Sequence, residues 1–475
     1  MELSSLLFPF GFRVERDVEI KGVTEDSREV EPGYLFFAYR GTSADGNSYV
    51  EEALRKGAVA LFTDSKETYF RFRKRVPTFY TEEPRKHLAL ISARFYGNPE
   101  RELSLIGVTG TNGKTTTAYL LFSALNRLKE PTGLIGTVEW GTYSHRFPSS
   151  RTTPSPTRFF KQLAYLKEKG VKWVVCEVSS HGLELDRVYG VKFKGGVFTN
   201  LTPEHLDFHK SMYSYFAAKE KLFFSTEVSL FNVDDPWGEL LFSLRPLFKT
   251  VSSYGKKGEF KIESLDSVGS VPISYRGNLY RVKTSLKGFF NCYNVAAAFS
   301  LLTLLGFSPS ELQEAFNDVK VPGRLEEVSP GVFVDYAHTP DALEKVLKAL
   351  KPLTEGRLIA VFGCGGDRDR EKRAPMGRVA SLLSDLVVLT SDNPRSEDPE
   401  AIIEDILKGV EDKTRVVVIP DRRKAIEWAL REKREGDIVL IAGKGHETYQ
   451  QFRDYSIHFS DREVVEEFYG RKKTC

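Results

Sequence analysis

Gly107-Val108-Thr109-Gly110-Thr111-Asn112-Gly113-Lys114-Thr115-Thr116 decides the fold class. The apolar run before it, residues 103–109, reads as a buried strand, and residues 118–128 after it read as a helix. A glycine-rich turn from strand to helix is where a phosphate-binding loop belongs. Glycines let backbone N–H groups close around phosphate oxygens, and the helix N-terminus adds positive potential. Lys114 can reach β- and γ-phosphates, and the Thr115 hydroxyl can ligate Mg²⁺. The strict G-x-x-x-x-G-K-[ST] pattern is broken at Val108, which stands where its first glycine belongs. The expected nucleotide contacts are Gly110, Thr111, Asn112, Gly113, Lys114, Thr115 and Thr116. Without the strand before it, the run would be an ordinary turn.

Outward from that loop the chain keeps a strand-and-helix rhythm, the mark of α/β architecture. Strand-like runs at 173–178, 196–199 and 229–233 fit one central parallel sheet with 103–109. Residues 261–282 read as a short antiparallel hairpin region. Beyond Val321-Pro322-Gly323-Arg324, runs at 357–362, 385–390, 415–419 and 437–441 alternate with helical patterns, as in a doubly wound, Rossmann-like sheet. Tyr96-Gly97-Asn98-Pro99 punctuates the other side. For 475 residues at about 150 per domain, three domains are expected: 1–101, 102–324 and 325–475.

Composition narrows the partners by exclusion. Hydrophobic residues (41%) and charged residues (28%) are ordinary for a globular chain. Lys plus Arg number 68 against 65 Asp plus Glu, a net charge of +3 that makes no general case for nucleic acid. Cys176, Cys292, Cys364 and Cys475 form no CxxC pair, so no disulfide framework or zinc cluster is expected and a reducing cytoplasm is. The opening MELSSLLFPFGF lacks a basic lead and is broken by Pro9, unlike a signal peptide. No run approaches the roughly 18 apolar residues of a membrane span.

Polar residues cluster at the carboxyl ends of the expected strands, where open α/β sheets bind ligands. Cys176-Glu177-Val178-Ser179-Ser180-His181 brings Glu177 to such an edge, and Asn200-Leu201-Thr202-Pro203-Glu204-His205 follows another. A carboxylate and an imidazole could complete a Mg²⁺ shell beside ATP phosphates, although histidine is an unusual magnesium ligand. Taken singly, His205 would be a structural histidine and Lys219 a surface lysine on a helix. Gly363-Cys364-Gly365-Gly366-Asp367-Arg368 fails the dinucleotide fingerprint at Arg368, which argues against an NAD enzyme. Cys176 and Cys364 adjoin motifs, but no Cys–His pairing marks either as a nucleophile.

Together these runs are more specific. TGTNGKTT resembles the Mur ligase family, the ATP-dependent amide-bond formers of peptidoglycan synthesis and their folylpolyglutamate synthetase relatives. The order from Glu177 through His205 to Tyr215-Phe216-Ala217-Ala218-Lys219 matches the family's. The resemblance implies ATP as co-substrate and two Mg²⁺ ions held through Thr115, Glu177, His205 and Lys219, with Lys219 carbamylated to N6-carboxylysine. Lys114, Glu177, His205 and Lys219 would carry the catalysis. Asn291-Cys292-Tyr293-Asn294-Val295-Ala296-Ala297 resembles the adenine-facing helix start, with Asn294 as the contact. Gly323-Arg324 and Val334-Asp335-Tyr336-Ala337-His338-Thr339-Pro340-Asp341 resemble the interdomain hinge, Arg324 meeting phosphate and Asp335 the ribose.

The remaining motifs imply the other substrates. Asp26-Ser27-Arg28 and Gly41-Thr42-Ser43-Ala44-Asp45-Gly46 resemble a small α/β uridine-binding domain, with contacts at Ser27, Thr42, Ser43 and Ala44. Thr152, Thr153, Ser179 and Arg187 would meet a muramoyl dipeptide; Leu185 departs from the glutamine that relatives often carry. Asp392-Asn393-Pro394-Arg395 resembles the signature of the branch that accepts meso-2,6-diaminopimelate, whose second carboxylate a planar guanidinium can grip bidentately. Arg368, Gly443 and Glu447 would complete that amino-acid site. The implied reaction joins diaminopimelate to UDP-N-acetylmuramoyl-L-alanyl-D-glutamate in the cytoplasm, by a monomer. Lysine-adding and D-Ala-D-Ala-adding ligases, and an inactive nucleotide-binding module, remain alternatives.

Overall fold

The computed structural model describes residues 1–42, 44–265 and 269–473. Its organising strand is Ser104–Thr109, buried along nearly its whole length. On one side it pairs in parallel with Phe193–Phe198, and on the other with Trp173–Glu177, where Val108 faces Glu177 across the ladder. That register brings the Glu177 carboxylate level with the exit into the phosphate loop. The sheet extends to eleven strands. From Phe260–Ile262 across to Thr132–Ile135 the strands run parallel. The expected hairpin is there as Ser270–Tyr275 and Asn278–Lys283, antiparallel, while Phe260–Ile262 joins the parallel array. A second antiparallel extension, Glu139–Gly141 and Arg146–Pro148, widens the far edge. The central sheet is therefore mixed at both rims and parallel where the site lies.

Two helices cover one face of it. Lys114–Arg127 starts at Lys114, four residues before the sequence pattern placed it, because Gly113 at φ +85° turns the chain straight into the first turn. Phe289–Leu304 buries Val295 through Leu302 continuously, as a helix wedged between the sheet and its neighbour must. Removing each large apolar side chain there from water contributes roughly 1.5–3 kcal/mol. Phe159, Phe160, Leu163 and Leu166 form the core of the opposite face.

The N-terminal block holds a four-stranded parallel sheet in chain order: Gly22–Thr24, Tyr34–Ala38, Ala60–Thr63 and Thr78–Tyr80. The C-terminal sheet has six strands, with Ile438–Ala442 inserted between Val332–Asp335 and Leu358–Phe362. Only its edge strand, Glu326–Ser329, is antiparallel. The carboxyl ends of its parallel strands lead into Tyr336, Gly363, Asp392 and Gly443, so the motifs of the last third of the chain share one edge. Among the described residues no helix is long and apolar enough to cross a membrane.

Candidate active site

The phosphate loop is held open by its neighbours. Gly110 lies at φ +147° against Thr199, and a side chain at Gly113 would run into Asn294 Oδ1. Thr111 N–H donates to Asn200 O at 2.8 Å and Asn112 N–H to Asn200 Oδ1 at 2.9 Å. Thr199 Oγ1 donates to Asn112 O at 2.6 Å. Lys114 is folded along the loop, its ammonium 2.9 Å from Gly110 O and 2.8 Å from Thr111 O. Desolvation lowers its pKa. Thr116 is buried one residue beyond Thr115.

Glu177, 1% exposed, is the buried acid beside this loop. It accepts from Thr115 Oγ1 at 2.9 Å, from Thr137 N at 2.8 Å and from Thr137 Oγ1 at 2.9 Å. Lys219, also 1% exposed, donates to Gly110 O at 2.8 Å and sits 4.7 Å from the centre of the Tyr215 ring. Burial, then the charge of Lys114, drives its pKa well below the ordinary lysine value, which favours the neutral amine. His205, at φ +56°, caps a four-residue helix, and its ring reaches Glu204 at 3.7 Å. Burial alone would raise the Glu204 carboxyl. The hydrogen bond from His338 and the charges of His205, His338 and Lys114 outweigh that and hold it far below the usual range. Among the described residues no three His, Cys, Asp or Glu side chains form a ready metal cluster. The oxygens of Thr115 and Glu177, 2.9 Å apart, are the hard donors that suit Mg²⁺ alongside phosphate oxygens.

A cavity of about 540 Å³ opens from this loop toward the C-terminal sheet. Asn294 lies on its wall, donating to Asn291 Oδ1 at 2.8 Å and accepting from Thr117 Oγ1 at 3.3 Å. Arg324 reaches Thr115 Oγ1 at 3.3 Å and stacks 4.5 Å over the Tyr336 ring. Asp335 also lines the cavity, but each of its oxygens already accepts a main-chain N–H, from Leu325 at 2.6 Å and from Ala337 at 2.7 Å. Its first task is to latch the hinge. Asn112 Nδ2 donates to Asp341 Oδ2 at 3.2 Å, tying the phosphate loop to the C-terminal domain.

Toward the N-terminal sheet, a chain of hydroxyls leads away from Glu177. Thr152 Oγ1 lies 3.1 Å from Thr137 Oγ1 and donates to it, since the Thr137 proton goes to Glu177. Thr153 Oγ1 donates to Glu177 O at 3.0 Å and accepts from Ser179 N at 2.9 Å. Arg187 donates to Thr153 O at 2.8 Å; burial, then the charge of Arg151, lowers its pKa to about 10. Ser27 is buried against Glu52 and Lys56, whereas Thr42 and Ala44 are exposed. Ser43 lies outside the described residues.

The last group gathers at the C-terminal sheet edge. Asn393 donates to Glu447 Oε2 at 2.9 Å, and Arg395, at φ +52°, donates to Gly366 O at 2.7 Å. Asp392 lies so close to Gly443 that a side chain there would meet its Oδ2 at 2.6 Å. Pro394 is buried behind Gly366, and the exposed Arg368 flanks Gly365 with Arg395.

Three family descriptions match this chain: Mur ligase family, catalytic domain, over residues 19–96; Mur ligase middle domain, over 108–302; and Mur ligase, glutamate ligase domain, over 323–445. A UDP-N-acetylmuramoyl-L-alanyl-D-glutamate--2,6-diaminopimelate ligase of Aquifex aeolicus is 45% identical, covering 95% of this chain and 94% of that protein. The chain belongs to the Mur ligase family. A similarly named protein of Clostridium acetobutylicum is 41% identical over 95% of each chain. A solved structure of a UDP-N-acetylmuramoyl-L-alanyl-D-glutamate--2,6-diaminopimelate ligase aligns with TM-score 0.67 and 31% identity, covering 100% of this chain and 99% of that one.

Within this Mur ligase, sequence reasoning passed over four groups. Thr137, in a Gly-rich stretch with no visible pattern, supplies two of the hydrogen bonds to Glu177. Glu204 was overshadowed by His205 beside it, and Tyr336 lay unassigned within the hinge motif. Lys444, between Gly443 and Glu447 in the sequence but given no role, is fully buried between Asn393 and Glu447. Cys176 and Cys364 are buried, and burial pushes the Cys364 thiol up to about 12, which disfavours a thiolate.

Proposed function

We propose that this Mur ligase joins meso-2,6-diaminopimelate to the D-glutamyl γ-carboxylate of UDP-N-acetylmuramoyl-L-alanyl-D-glutamate, cleaving ATP to ADP and phosphate. The observation that carries the reading is the gathering of Asp392, Asn393, Arg395 and Glu447 at one C-terminal sheet edge, where the Arg395 guanidinium could take the second carboxylate. Its support is the similarity, along nearly the whole chain, to relatives named for that reaction. A γ-carboxylate oxygen takes the γ-phosphoryl group as ADP leaves, giving an acyl phosphate. The α-amine of diaminopimelate then adds to the acyl carbon, loses a proton, and phosphate departs from the tetrahedral intermediate.

In this reading Lys114 and Arg324 stabilise charge on the transferred phosphoryl group. Thr115 and Glu177 would hold one Mg²⁺ ion, and Lys219, as a carbamate, would help hold a second with His205. Bound Mg²⁺ neutralises phosphate oxygens. Asn294 faces adenine, Asp335 the ribose, and Ser27, Thr42 to Ala44, Thr152, Thr153, Ser179 and Arg187 the UDP-muramoyl dipeptide. Arg368 and Gly443 complete the amino-acid pocket, and the enzyme works as a cytoplasmic monomer. The test is phosphate release from ATP with the UDP-muramoyl dipeptide and competing amino acids. Diaminopimelate should stimulate release; stimulation by lysine alone overturns the substrate, and none by any amino acid overturns the ligase reading.

A further inference from the structure

Lys444 is a lysine with no exposed side-chain surface, packed beneath the Asn393 and Glu447 side chains of the proposed amino-acid site. Its ammonium donates to Asn393 Oδ1 at 3.0 Å and to Glu447 Oε2 at 3.0 Å, and lies 3.9 Å from Asp392 Oδ1. Two consequences follow. First, the amide of Asn393 has one workable orientation: its oxygen accepts from Lys444 and from Gln451 N at 2.9 Å, so its NH₂ must turn to Glu447. Second, the two bonds to Glu447 both fall on Oε2, which fixes that carboxylate and leaves Oε1 to a ligand. A buried ammonium costs several kcal/mol of desolvation unless it is surrounded by acceptors, and here three acceptors surround it.

The charge sum is equally specific. Asp392 and Glu447 bring two negative charges and Lys444 one positive, so this wall carries −1 beside Arg395 and Arg368. That balance suits a zwitterionic end group: one ammonium for the acidic wall, one carboxylate for the guanidinium. Without Lys444 the wall carries −2, which favours a cation and repels a carboxylate.

We infer that Lys444 is the residue that positions Asn393 and Glu447 and sets the charge of the amino-acid pocket, and so favours a zwitterionic side chain over a purely cationic one. The inference rests on the ligase reading above. Lys444→Met, which keeps most of the buried stem, is assayed by phosphate release with diaminopimelate and with L-lysine. The KM for diaminopimelate should rise at least about tenfold, the preference for diaminopimelate over lysine should shrink, and the KM for ATP should stay within about twofold. An unchanged diaminopimelate KM, or equal changes in both KM values, overturns it. Glu447→Gln alone and combined with Lys444→Met closes a cycle that also serves if the single lysine variant folds poorly. Lys444→Met should cost far less in the protein that already carries Glu447→Gln, and additive losses overturn the inference. Wild-type enzyme unresponsive to every amino acid would instead defeat the underlying reading.

Discussion

At the scale of single residues the site works by denying water to groups that normally want it. Lys219 shows this most plainly. A lysine on Met212–Glu220 would ordinarily snorkel to solvent, but here its Nζ ends on the Gly110 carbonyl, above the Tyr215 ring and near the like charge of Lys114. A neutral amine has a lone pair to add to the carbon of CO₂, releasing one proton and becoming an anionic carbamate. Lys219→Ala should therefore lower phosphate release by about 10²–10³-fold or more, the scale of losing one charge-stabilising group. A short carboxylic acid added to the assay should restore part of the loss by placing an anion in the vacated space. Full activity of the alanine variant would refute the role.

At the scale of elements, position at strand ends matters more than any one side chain. Arg422 and Asp461, both without exposed surface, pair in bidentate fashion at 2.8 and 2.7 Å. They are the first residues of two helices, Arg422–Glu432 and Asp461–Lys473. The same guanidinium donates to Ser391 O at 3.3 Å and Ala442 O at 3.0 Å, the carbonyls just before Asp392 and Gly443. One buried cation thus pins both strand ends that carry the amino-acid pocket. Asp461→Leu, which strands that charge, should cost about 3–5 kcal/mol in urea unfolding, whereas pairing it with Arg422→Met should recover much of the loss. A single variant as stable as the parent would contradict this account. Elements of this kind divide what was legible in the sequence from what was not. The phosphate-loop strand, its parallel partners and the C-terminal strands carry long apolar runs, and their order predicted the α/β class. Gly22–Thr24 and Thr78–Tyr80 are three residues each, too short for any period, and Thr132–Ile135 lies between Pro131 and Gly136, which read as a turn. Likewise Thr115, Glu177 and Lys219 could be named from motif order. The reach of Arg324 to Thr115, and the tie from Asn112 to Asp341, depend on contacts between distant segments that no local pattern records.

At the scale of the whole molecule the C-terminal sheet meets the phosphate loop through a narrow seam, and His446 sits in it. Gly323, at φ +64°, lets the hinge pass so close that a side chain there would overlap His446 N. The His446 ring rests 5.1 Å from that of Tyr336, which is itself stacked under Arg324. Its Nδ1 is buried without a hydrogen-bond partner. Burial, then the charges of Arg324 and Lys444, lowers its pKa from 6.5 to about 3. The sign of the consequence is fixed by linkage. Well above pH 6.5 the ring is neutral in both folded and unfolded chains, and its full contribution is present. Between 6.5 and about 3 the unfolded chain binds a proton that the folded one refuses, so stability falls with pH, at most about 1.4 kcal/mol per unit for one proton. His181, lowered to about 4 by burial and its histidine neighbours, acts in the same direction. The share of His446 is therefore read as a difference between two proteins. In urea unfolding at pH 7, 6 and 5 the parent should lose more stability than His446→Asn as the pH falls, because the variant lacks one source of acid sensitivity. Curves that stay parallel across that range would show that the seam does not hold His446 as a neutral ring.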